Sequence, residues 1–189
     1  GGGNYLLPGS LTVGVPGIPS DMQVGYHDGS STTVSLRMAP GSRFSAWLNA
    51  FRVGIYSLYH GNTISGTVDL RNSTLGSMNI GDMMIGSFTN ANETYKGPRV
   101  YGNVYLPEGS VNVTNLWVGV PNSDGYNQAY GYLELNGTKL TIENTFTSGV
   151  PGRAGIHLHF GPGFGFLRQR GNQMSRFQTF LTNGTFTFD

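Results

Sequence analysis

The chain has 189 residues, 11 Lys and Arg against 10 Asp and Glu, a net charge of +1 and no cysteine. Such a length fits one domain or two small β modules, and the balanced charge excludes a general electrostatic attraction to nucleic acid. The lack of cysteine excludes disulfides and thiol catalysis. Only 11% of residues are charged, but 38% are hydrophobic, so there is enough apolar mass for a core. Thirty glycines, with abundant Asn, Ser and Thr, predict many short strands joined by tight turns.

Residues 1–30, punctuated by Pro8, Pro16 and Pro19, read as an extended N-terminal segment with one strand at 11–15. The chain opens Gly1-Gly2-Gly3 without Met, consistent with a fragment or a processed product. It shows no basic-then-apolar leader and no run near the roughly 20 apolar residues of a membrane helix. Residues 31–189 read as a single all-β domain with a candidate sub-boundary at 121–128. Val34, Leu36 and Met38 alternate and predict a strand over 33–38, ended by Pro40 and Gly41.

The stretch 42–51 has two readings. Phe44, Trp47, Leu48 and Phe51 follow the i, i+3, i+4, i+7 spacing of a short helix with Ser42 as its N-cap, whereas from Phe51 onward the period is two. Between 64 and 88, Leu70, Leu75, Ile80 and Ile85 recur every five residues. That rhythm resembles the pentapeptide-repeat proteins, which wind such units into a square β-helix. Four units make only about one coil, and repeat folds need several stacked layers. Short strands and turns in an antiparallel fold are therefore the preferred reading.

Two further strands are predicted at 100–106 and 111–120. In the second, Val111 and Val113 give way to Leu116, Val118 and Val120, which predicts a bulge near Thr114–Asn115. Asn136-Gly137 predicts a two-residue hairpin over 132–142 that sets Leu133 opposite Leu140 and Glu134 opposite Lys139. Asn183-Gly184 predicts another over 177–189. The expected architecture is an antiparallel β-sandwich or jelly-roll-like module. Asn72, Asn92, Asn112, Asn136 and Asn183 each begin an Asn-x-Ser/Thr triplet. Chance accounts for these in a chain of such composition, and Asn136 and Asn183 fall in predicted turns.

The run from Pro151 to Asp189 is locally basic, and no acidic residue lies between Glu143 and Asp189. A strand through His157 and His159 would put both imidazoles on one face, roughly 7 Å apart. Two imidazoles can share a metal when other ligands arrive, and a three-fold axis would gather six. Arg153, Arg168, Arg170 and Arg176 surround this strand and suit phosphate or carboxylate ligands. They equally suit a solvated face or a subunit interface. Trp47, Trp117 and the ten tyrosines, among them Tyr126 and Tyr130, are candidates for stacking on sugar rings. The ten acids are scattered and match no catalytic motif.

In its Gly, Asn, Thr and aromatic content and its lack of cysteine, the chain resembles bacteriophage tail-fibre and receptor-binding proteins. The tripeptide from His157 to His159 resembles the metal-binding His-x-His of some long tail-fibre tips. The resemblance implies a non-catalytic homotrimer on a virion or outside a cell. Its partners would be itself and a host polysaccharide or teichoic acid, with no nucleic acid, no membrane insertion and no cofactor beyond such a metal. The residues to bind ligand are Arg153, His157, His159, Arg168, Arg170, Trp117, Tyr126 and Tyr130. The other readings are a structural subunit of a virion shell or filament, and a polysaccharide-degrading enzyme with two carboxylates in catalytic reach.

Overall fold

The computed structural model describes residues 2–27, 31–56, 62–88, 99–120, 128–148, 154–160, 166–169 and 184–188, with side chains as far as Thr147 apart from His27. Fourteen strands are described in chain order. The first seven are β1 (Gly3–Leu7), β2 (Ser10–Val13), β3 (Ser20–His27), β4 (Thr32–Met38), β5 (Arg43–Tyr56), β6 (Thr63–Asp69) and β7 (Thr74–Phe88). The other seven are β8 (Arg99–Leu106), β9 (Gly109–Val118), β10 (Gln128–Leu135), β11 (Thr138–Ser148), β12 (Ala154–Phe160), β13 (Phe166–Gln169) and β14 (Gly184–Phe188).

One sheet has the order β1-β4-β6-β8-β10-β12-β14, and the other β13-β11-β9-β7-β5-β2 with β3 also on β5. Every pairing between these strands is parallel. From β3 onward the chain alternates between the sheets, so each circuit lays one strand on each and returns one rung higher. This is a β-solenoid. The antiparallel sandwich or jelly roll expected from the sequence is wrong. Leu36, Val68, Val104 and Leu133 stack in one column at intervals of 32, 36 and 29 residues, which is the length of one coil.

The physical reason for the error lies in the turns. A hairpin and an arc between two facing sheets demand the same alternation, because both put every second residue inward. Asn136-Gly137 is such an arc: β10 lies between β8 and β12, while β11 lies between β9 and β13. Leu133 and Leu140 meet across the core rather than side by side on one sheet. Glu134 pairs with Arg71 instead of facing Lys139 in a ladder. Equivalent arcs are closed by Ser42, whose Oγ donates to the Ala39 carbonyl, and by Ser73, whose Oγ donates to Leu70 O at 2.7 Å. In the second predicted hairpin, residues 184–188 pair in parallel with β12, and 177–183 lie outside the described residues.

The helix considered for 42–51 is also overturned, since β5 runs unbroken from Arg43 to Tyr56. Its residues in the main core are Phe44, Ala46 and Leu48, then Phe51 and Val53. The step of three between Leu48 and Phe51 imitates a helical period. Met78 and Ile80 then Met83 and Ile85 do the same in β7, and Val111 and Val113 then Leu116 and Val118 in β9. The slip expected at Thr114–Asn115 is real, but not as a bulge in β9, which stays in register with β7 across it. It is one row of a corner shared by successive coils, and β11 takes its extra residue there, between Ile142 and Thr145. In the five-residue rhythm of 64–88, only the interval from Ile80 to Ile85 is the three plus two of this corner, while that from Leu70 to Leu75 crosses the arc between the sheets. The rhythm is no stack of five-residue units, because 64–88 is split between β6 and β7 on opposite sheets.

Beyond the corner the two sheets pinch together. Gly54 and Gly86 have φ of +63° and +55°, with Gly25 and Gly119 in the same row. Facing them are Gly66, Gly102 and Gly131, stacked in register. A Cβ on Gly86 would lie 1.8 Å from the Tyr130 carbonyl oxygen, and one on Gly102 2.1 Å from the Gly86 nitrogen. Only glycine allows backbone to touch backbone here. The pinch divides the interior. A large core lies on one side of it, and Tyr56, Ile64, Phe88, Val100 and Ala129 form a small one on the other.

Candidate binding groove at the sheet corner

The corner that bends β5, β7, β9 and β11 leaves a groove of about 370 Å³ on the outer face of their sheet. Trp47, Asn79 and Asn112 occupy one register column along it. Gly81, Thr114 and Glu143 line its side. Val15, Gly17 and Pro19 line the end nearest the N-terminal coil.

Each part is held for a local reason. The overhang is a tight turn, with reciprocal backbone bonds between Val15 and Ile18 at 3.1 and 3.0 Å. It is tied to β5 by Asn49, whose Nδ2 donates to Pro19 O at 3.4 Å. Asn112 Nδ2 donates to Asn79 Oδ1 at 3.1 Å, and a parallel chain runs from Asn144 through Asn115 to Asp82 at 3.0 and 2.9 Å. In-register stacking of like side chains makes such amide ladders natural in a parallel sheet. One ladder bond uses only part of the capacity of each amide, which carries two donor hydrogens and two acceptor lone pairs. The groove therefore offers an aromatic wall, amide donors and acceptors, and a carboxylate.

The opposite sheet carries a second polar cluster. Arg71 Nε and Nη2 donate to the Asp69 carboxylate at 2.9 and 2.8 Å, and Nη1 lies 3.6 Å from Glu134 Oε1. The guanidinium sits 4.2 Å from the Tyr105 ring centroid. Tyr132 donates its hydroxyl proton to Glu134 Oε2 at 3.0 Å. Burial pushes the Asp69 carboxyl up, but the hydrogen bonds and charge of Arg71 outweigh it and hold that group below its ordinary value. Burial and the bond to Glu134 push the Tyr132 phenol up. Arg71 is itself held protonated by Asp69. These groups answer one another within the cluster, which clamps three coils together. A second depression, of about 700 Å³, lies beside it, along the arcs at Arg71, Glu108 and Asn136.

No family model, no curated protein and no solved structure matches this chain.

The residues singled out in the sequence are not gathered at one place. Trp117 is half-buried on the outer face of β9, in register with Met84 and Thr147. Tyr130 is on the other sheet, where its ring stacks on Tyr101 at 4.9 Å between centroids and 6° between planes. His157 and His159 hold register positions opposite Tyr132 and Glu134 on β12, and Arg168 is opposite Thr141 on β13. Arg153, Arg170 and Tyr126 lie outside the described residues. Among the described residues no group of three or more His, Asp or Glu is placed to hold a metal, and no helix is long and apolar enough to cross a membrane. Asn79, Asn112 and Glu143 were not anticipated. The signal that finds them is the coil-length recurrence of Val24-Gly25, Val53-Gly54, Ile85-Gly86 and Val118-Gly119, which aligns the strands and so stacks Trp47, Asn79 and Asn112.

Proposed function

We propose that the chain is a non-catalytic module that binds a cell-surface polysaccharide. The observation that carries this reading is Trp47 standing beside Asn79 and Asn112 in an open groove. An indole face matches the C–H face of a sugar ring, and amides match its hydroxyls. Display outside a cell or on a virion rests on the compositional resemblance to tail-fibre proteins. Titration of the chain with a panel of neutral glucans, chitin, acidic capsular polysaccharide and wall teichoic acid tests it. At least one member binds, and Trp47→Ala weakens that binding tenfold or more, about 1.4 kcal/mol, with the unfolding midpoint little changed. Binding indifferent to Trp47 removes the groove from the reading.

A structural role, as a subunit of a shell or filament, has one observation in its favour. Among the described residues the exposed large apolar side chains are Tyr5, Leu6, Val15, Ile18 and Tyr26, all in the first coil. Light scattering over a concentration series distinguishes the two. Open-ended growth supports the subunit, and a discrete small assembly supports the module.

A further inference from the structure

The groove is built across strands, not along one. Its wall takes Trp47 and Leu48 from β5, Asn79 and Ile80 from β7, Asn112 and Val113 from β9, and Glu143 from β11. The strip open to solvent runs in register from Trp47 through Asn79 to Asn112 and ends at Glu143 on β11, because the next position of the column, Thr141, is buried. That is three inter-strand steps, roughly 14 Å at about 4.8 Å each. Each rung repeats the same backbone placement, so whatever fits one rung meets a comparable position on the next.

On this basis, and resting on the carbohydrate reading above, we propose that the ligand is a linear polysaccharide lying along the solenoid axis. Successive sugar units occupy successive rungs, from Trp47 towards Glu143. Val15, Gly17 and Pro19 line the groove at its Trp47 end. From there the ligand extends towards the C-terminal coils. A pocket made for one sugar would draw its polar groups around a point. Here they are strung along a line, and no single rung supplies both the aromatic wall and the Asn79–Asn112 amide pair.

The test uses graded fragments, two to eight units long, from whichever panel polysaccharide binds, titrated against the intact chain. Affinity is expected to climb several-fold per unit up to about four units, then level off. Asn112→Ala should lower affinity for fragments that reach the third rung and leave the disaccharide within twofold. Glu143→Gln should affect only fragments of four units or more. Equal affinity for disaccharide and octasaccharide overturns the axial arrangement while leaving carbohydrate binding intact. So does an equal loss at every length for both variants. If neither polymer nor fragment binds, the carbohydrate reading itself falls, and this inference with it.

Discussion

At the residue scale the fold depends on where a side chain is missing. Gly86 combines a left-handed φ of +55° with backbone contact across the pinch. Gly86→Ala should cost roughly 3 kcal/mol or more, because the strained conformation and the displaced facing strand add together. Gly41 also has a positive φ of +76° but has nothing within 4 Å of a built Cβ. Gly41→Ala should therefore cost only about 1–2 kcal/mol. Urea unfolding of both variants separates clash from conformation. Asp69 makes a different prediction. Its folded value lies below its unfolded one, so its contribution is complete above about pH 4 and is lost as pH falls through the folded value. Asp69→Asn should cost about 1–3 kcal/mol at pH 7, and the gap to the parent chain should close towards pH 2. Urea midpoints at the two pH values measure it.

At the scale of elements, alternation is written plainly in the chain, while the identity of the neighbour is not. Strands at 33–38, 100–106 and 111–120 can be read from period two alone, and so can the inward sets of Leu133 with Leu140. What failed was the partner. Asn136-Gly137 turns the chain as sharply for an arc between sheets as for a hairpin within one, and no local pattern distinguishes them. Phe44, Trp47, Leu48 and Phe51 misled for a related reason: a strand that steps by three at a corner borrows the spacing of a helix. The groove was half legible. Trp47 could be named as a sugar platform, but its neighbours 32 and 65 positions away become visible only when the coil length is known. Phe51 is fully buried at that corner, and Phe51→Ala should cost about 3–5 kcal/mol. Thermal unfolding followed by circular dichroism tests this, and a loss under 1 kcal/mol would mean the corner is loosely packed.

At the scale of the whole molecule, each coil touches chiefly the coils above and below, so stability is close to a sum of coil and interface terms. Val53 and Ile85 are register partners. Excising 54–85 joins Val53 to Gly86, so a core-facing aliphatic residue still precedes a pinch glycine. The shortened chain should fold, keep a β-type spectrum and melt lower than the parent. A chain that lost all structure on this excision would contradict the stacked arrangement. The shared corner has a further consequence. A strand of strict alternation can slide two residues past its neighbour and still bury its apolar side. Sliding β7 by two against β5 would set Gly81 beside Phe51 in place of Met83 and throw the three-residue step out of line. The bend thus works as an index mark: it removes the near-degenerate alignments that a stack of similar strands would otherwise sample, so a misthreaded coil is rejected as it forms.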